Sequence, residues 1–233
     1  MEDKRYQDFA ENKLNLKFKN LDYLISAFTH RSYLNEHRQI KLDHNERLEF
    51  LGDAVLELVV TEFLYTTYSE PEGILTNWRS SLVRTESIAA AAHKLGFEEY
   101  LRLSKGEARG TDRARTQILA NSFEAIIGAI YLDQGYEKSR KFIEDNIIST
   151  FDEILKTGAW LDPKSRLQEL AQSNETQTPQ YRILKEEGPD HDKTFKVGVY
   201  VNGELRGDGD GPSKQEAQQQ AAQQALKFYE KSK

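Results

Sequence analysis

The chain has no cysteine among its 233 residues. That excludes a disulfide framework and a thiolate nucleophile, and it makes a reducing, cytoplasmic setting the expectation. Histidine is scarce too, with five, and with thiols absent this disfavours a zinc centre. No apolar run approaches the ~20 residues that a membrane span needs, so no membrane partner is expected. The N-terminal stretch MEDKRYQDFAENK is too charged for a secretory leader. Nor is there an excess of positive charge: the net is −6 and the pI about 5.5. From residue 160 onward, 11 Lys and Arg stand against 12 Asp and Glu, net −1, which leaves 21 against 26, net −5, in the rest. A polyanion would have to be held by placed cations or metal ions rather than by a bulk field.

Hydrophobic residues make up 38% of the chain and recur in periodic runs, as in a globular protein. The length suits one domain or two modest ones. Three-four apolar spacing predicts helices over 6–14, 21–33, about 44–68, 74–95, 116–132 and 136–155. Residues 69–73 (SEPEG) read as a break, Gly96 as a left-handed stop and 101–115 as an exposed cationic loop. A short linker at 156–161 precedes a change of style. Asp162-Pro163 opens a helix, 180–187 and 194–201 alternate like half-buried strands, and Asn202-Gly203 signals a hairpin into 204–207. Ser213-Lys214-Gln215-Glu216 forms a capping box for a last helix. The expected fold is therefore all-α over 1–157 and a small α+β unit, α-β-β-β-α, over 161–231.

The stretch Asn45-Glu46-Arg47-Leu48-Glu49-Phe50-Leu51-Gly52-Asp53 carries the first chemical signal. A helix turns about 100° per residue, which puts Glu46, Glu49 and Asp53 within about 60° of one another. Leu48, Leu51, Val55, Leu58 and Val59 fall roughly opposite, as a buried face. Like charges at this spacing cost a helix about 0.2–0.5 kcal/mol per pair, and no basic residue shares the arc. Alone, such a stripe reads as solvated surface. A second helix changes the weighing. Asn121, Glu124 and Gly128 share one face, with Leu119, Phe123, Ile126, Ile127 and Ile130 on the other. Packed side by side, the two helices would gather Glu46, Glu49, Asp53, Asn121 and Glu124 around a hard cation. An all-oxygen donor set with room for water suits Mg²⁺. Phe50 falls about 40° from Glu46, which reads equally as a contact surface or as a core residue reached by helix rotation.

The nine residues at 45–53 resemble the motif of the ribonuclease III family. Thr29-His30-Arg31-Ser32-Tyr33 and the run from Ile118 to Ala129 are similar to the family's companion segments. The C-terminal α-β-β-β-α pattern resembles the double-stranded RNA-binding domain that follows the nuclease domain in bacterial members. The resemblance implies a homodimeric, Mg²⁺-dependent endoribonuclease, with Mn²⁺ as a substitute, that cuts duplex RNA to 5′-phosphate and 3′-hydroxyl ends. It implies processing of ribosomal RNA precursors and other structured transcripts. It assigns Glu49, Asp53, Asn121 and Glu124 to the metal, with Asp53 and Glu124 most needed for catalysis. Glu46 and Glu72 become outer acidic residues, and Phe50 a dimer-interface residue. Asn121 departs from the Asp that many members carry, so it brings an amide oxygen without charge.

Duplex RNA is read by shape, through minor-groove 2′-hydroxyls and the intervening phosphates. By the same resemblance, Gln168, Glu169 and His191 would enter grooves, and Lys214 at the last helix's N-terminus would meet phosphate. Gln215 and Gln218 stand where members often carry lysine, so weak, shallowly salt-dependent binding by this domain alone is expected. Arg79, Lys105, Arg109 and Arg113 are candidate phosphate contacts in the first domain. The rival expectation is a non-cleaving RNA-binding regulatory protein, with Asn121 marking lost activity.

Overall fold

Helix α7, Asp112–Gln134, is apolar on nearly all sides, and the first half of the chain is wrapped around it. The structure is a computed structural model, and it describes residues 2–158, 160, 162–175, 177–189 and 193–230. Its contacts divide the chain into two compact units, Met1–Lys156 and Thr157–Lys233. In the first, α4 (Glu46–Thr67) lies along α7 and buries Leu48, Gly52, Val55, Leu56, Val59, Val60 and Leu64. The crossing is set by two glycines. A Cβ on Gly52 would stand 1.7 Å from the Glu124 carbonyl oxygen, and one on Gly128 would stand 2.2 Å from that of Leu48. The two backbones touch because neither glycine has a side chain.

This contact corrects the expected buried face. Leu58, about 240° around the helix from Gly52, is 57% exposed, while Leu56 and Val60 are buried instead. The Gly52–Gly128 crossing fixes the rotation of α4, and apolar periodicity alone placed its buried arc nearly one residue step, about 85°, away.

The predicted helix over 21–33 is two helices, α2 (Leu21–Ala27) and α3 (Arg31–Glu36). Between them Thr29 bridges Arg102 in parallel, with Arg102 N–H donating to Phe28 O at 2.9 Å and His30 N–H to Arg102 O at 3.1 Å. Those bonds take the backbone groups that a continuing helix would need. Burial holds the His30 ring below its usual pKa, hence neutral, and its Nδ1 accepts from Ser32 N–H at the start of α3. Arg102 itself is buried, and its guanidinium lies over the Tyr33 ring and bonds Thr29 Oγ1. The segment expected as exposed loop is thus anchored at its first turn. It also ends sooner: Thr111 Oγ1 caps α7 by accepting from Ala114 N–H. Residues 74–95 likewise form α5 (Glu72–Leu82) and α6 (Thr85–Lys94), and 136–155 form α8 (Tyr136–Asn146) and α9 (Phe151–Thr157). Gly96 has φ +77° and ends its segment as expected. Helix α1 (Glu2–Asn12) closes the unit, with Tyr6 and Phe9 against Phe28, Phe97 and Tyr100.

In the second unit α10 (Pro163–Glu175) precedes an antiparallel sheet in the order β1 (Gln180–Glu187), β2 (Thr194–Val201), β3 (Glu204–Gly211). Helix α11 (Lys214–Glu230) covers one face of it. The hairpin turn has φ +54° at Asn202 and +80° at Gly203, the pair of positive values that a type I′ turn demands. β3 runs four residues past its expected end because Gly207, Gly209 and Gly211 abut Ala217, Ala221 and Ala225 of α11 backbone to backbone. Leu167, Val199, Ala221, Ala222, Ala225 and Leu226 form the unit's core.

Candidate active site

The close crossing of α4 and α7 brings their acidic faces together. Asp53 follows Gly52 directly, and Glu49 lies one turn before it. Glu124, whose carbonyl meets Gly52, comes from α7. These three carboxylates act on one another. Burial, then the charges of Asp53 and Glu49, push the Glu124 carboxyl up to about 8. Burial, then Glu46 and Asp53, also raise Glu49, and a hydrogen bond from Asn121 partly offsets this. Asn121 Oδ1 in turn accepts from Gln117 Nε2 at 2.7 Å.

Arginines from other elements pair with two carboxylates of α4, Glu46 and Glu57. Arg31 Nη1 lies 3.3 Å from Glu46 and His44 Nδ1 3.8 Å from it. Arg79 Nε lies 3.1 Å from Glu57 and its Nη1 bonds Thr61 at 3.2 Å. Arg79, a candidate phosphate contact by sequence, is thus tied to a carboxylate. Among the described residues, the charges that shift Glu49 are those of Glu46 and Asp53, and those that shift Glu124 are Asp53 and Glu49. Three carboxylates with an amide oxygen beside them, at a half-buried crossing, are what a hard divalent cation takes. Among the described residues no three His, Cys, Asp or Glu side chains converge tightly enough to hold an ion as they stand.

Other predicted residues fall elsewhere. Glu72 is in the first turn of α5, where its Oε1 accepts from Thr76 Oγ1 at 3.1 Å. It lines a cleft of about 390 Å³ with Thr61, Tyr65 and Arg79 and is not among the charges acting on Glu49 or Glu124. Phe50 is 82% exposed, on the rim of a second cleft of about 850 Å³ that Tyr23, Leu51 and Leu132 also line. In the second unit Gln168 and Glu169 are exposed on α10, and Lys214 opens α11 with its Nζ over the Phe195 ring. His191 lies outside the described residues. Gln218, which stands where members often carry lysine, accepts from Lys164 Nζ at 2.8 Å.

Sequence reasoning missed Gly52, Arg31, Gln117 and Lys164. Gly52 carried a readable signal, a glycine in the middle of a strong helix pattern. Gln117 carried one too, four residues before Asn121 on the same face. The pairing of Arg31 with Glu46 and of Lys164 with Gln218 crosses elements and left no trace in local spacing.

A family model described as Ribonuclease-III-like matches residues 20–151, and one for the double-stranded RNA binding motif matches 163–229. The chain is 48% identical over 221 residues to Ribonuclease 3 of Enterococcus faecalis, covering 93% of this chain and 94% of that one. It is 46% identical over 226 residues to Ribonuclease 3 of Lactococcus lactis subsp. cremoris, covering 96% of each. The solved nuclease domain of ribonuclease III from Campylobacter jejuni matches with a TM-score of 0.54 and 38% identity, over 60% of this chain and 98% of that one.

Proposed function

The chain belongs to the ribonuclease III family, and from that premise we propose that it cleaves duplex RNA at a Mg²⁺ centre held by Glu49, Asp53, Asn121 and Glu124. It is a double-strand-specific endoribonuclease, and the family is metal-dependent. Mn²⁺ substitutes for Mg²⁺ in this reading. The observation that carries it lies in the middle of the acidic stripe: Glu46 and Glu57 are paired with arginines, whereas burial and neighbouring carboxylates raise Glu49 and Glu124. A divalent ion held by Glu49, Asp53, Asn121 and Glu124 would supply the Lewis acidity for a hydrolysis that leaves 5′-phosphate and 3′-hydroxyl ends.

The chain's own residues do the rest. Asp53 and Glu124 offer their carboxyl oxygens at the crossing, where Gly52 and Gly128 set how closely α4 and α7 approach. Arg31 and His44 keep Glu46 as an outer acidic group. Glu72 serves as an outer group at the far end of α4. Residues 1–157 form the nuclease and dimerisation domain and 161–231 the RNA-binding domain. Gln168, Glu169, His191 and Lys214 meet the duplex. The exposed Phe50 beside its cleft supports a homodimer. In a symmetric pair each copy offers the same patch and receives the same one. No helix among the described residues is long and apolar enough to cross a membrane, and the absence of cysteine supports a cytoplasmic enzyme that processes ribosomal RNA precursors and other structured transcripts.

The test incubates long duplex RNA with the protein and with Glu124→Ala, each with and without Mg²⁺. Cleavage by the wild type in Mg²⁺ alone, and loss of cleavage with retained binding in the variant, is expected. Binding without cleavage by the wild type in either Mg²⁺ or Mn²⁺ would make it a regulatory RNA-binding protein instead.

A further inference from the structure

Asn121 differs from its acidic neighbours in having one atom that can ligate a cation and one that cannot. Its Oδ1 accepts from Gln117 at 2.7 Å, which turns the ligating atom along α7, and its amide acts on Glu49 as a donor, lowering that carboxyl. We propose that Gln117 is a positioning residue that holds the Asn121 oxygen away from the acidic cluster, and that the two amides turn over together when a divalent cation enters. The inference rests on the metal centre proposed above.

The physical basis is the two-ended character of an amide. Turning Asn121 is a rotation about Cβ–Cγ, an sp³–sp² torsion with broad, roughly two-fold preferences. Once turned, its N–H₂ needs an acceptor where it previously needed a donor. Gln117 carries both on one planar group and meets either need by rotating its own amide. A lysine at 117 could serve only the first orientation and a glutamate only the second. Before the ion arrives, the Asn121 N–H partly offsets the repulsion that Glu46 and Asp53 exert on Glu49. The cation takes over that role when it binds. With Asp at position 121 both atoms are oxygens and no turn is required, so Gln117 has this role only because the chain carries Asn there.

Two measurements on the full chain test this. In ¹⁵N-resolved spectra, the side-chain NH₂ signals of Asn121 and Gln117 should shift together, at the same Mg²⁺ concentration. Calorimetric Mn²⁺ binding is then compared for Gln117→Glu and Gln117→Lys, each alone and combined with Asn121→Asp. The charge difference between Glu and Lys acts in both backgrounds, and the amide orientation only in the first. The spread in dissociation constant should be wider in the Asn121 background by about fivefold, the worth of one hydrogen bond. An equal spread in the two backgrounds, or Mn²⁺ uptake with an unmoved Asn121 amide in Mg²⁺, overturns the inference and leaves the metal centre standing. No uptake of either ion by the wild type overturns both.

Discussion

At the scale of single residues, Glu124 links stability to function. Its carboxyl titrates at about 8 in the fold against roughly 4.3 in an unfolded chain. The folded protein therefore holds a proton that the unfolded chain releases. Stability contributed by this group is full below pH ~4, falls as pH rises between the two values, and is lowest above 8. An unscreened shift of this size would be worth about 5 kcal/mol at 1.36 per unit, and water at a half-buried site reduces it to about 2–3. Glu124→Gln removes the penalty. In chelator at pH 9 the variant should melt about 4–12 °C above the wild type, given about 2–4 °C per kcal/mol for a chain this size. The gap should close toward pH 5. A gap independent of pH between 5 and 9, read by calorimetry, would mean that the buried carboxyl is not its source. On the assignment proposed above, the same substitution is expected to abolish cleavage, which would place the cost in stability at the group that serves the reaction.

At the scale of elements, the proposed active site depends on how closely two helices cross. Glycine costs a helix about 1 kcal/mol relative to alanine, so Gly→Ala should stabilise wherever there is room. Gly73, in the first turn of α5, has nothing within 4 Å of a built Cβ. Gly52 has a carbonyl oxygen at 1.7 Å. Gly52→Ala should destabilise by about 3 kcal/mol or more, as overpacking against backbone does at its upper end. It should also cut cleavage severely by spreading Asp53 from Glu124. Gly73→Ala should leave both unchanged or slightly raise the melting temperature. Equal melting temperatures for the two variants would remove the crossing from the account. The sequence made the two helices and their acidic faces legible, with Gly128 on the face of Asn121 and Glu124. It did not reveal how α4 is rotated, because Leu51 and Leu58 satisfy the apolar period as well as Gly52 and Leu56 do. Nor did it reveal the breaks at 28–30 and 83–84. These contain no proline or glycine, and the first exists because Thr29 pairs with Arg102, 73 residues away.

For the whole molecule, the question is which part holds the RNA. The second unit has net charge −1 from residue 160 on, and its cations are partly committed. Lys196 pairs with Asp208 at 2.8 Å, Lys193 with Glu186 at 2.9 Å, and Lys164 with Gln218. Lys214, at the start of α11, is the cation best placed for phosphate, because the helix N-terminus adds its own unpaired N–H groups. Each phosphate neutralised by a cation adds about 0.7–0.9 to the slope of log K against log salt. With two or three such contacts, residues 161–231 alone should bind duplex RNA with a slope no steeper than about −3. The full chain carrying Glu124→Ala should show a steeper slope in Mg²⁺, since the exposed Lys105, Arg109 and Arg113 then add to it. Filter binding between about 50 and 200 mM salt separates the cases. A slope for the isolated domain as steep as for the whole protein would place the electrostatic grip there despite its charge. A shallow slope for both would leave shape and hydrogen bonding, through Gln168 and Glu169, as the main source of affinity.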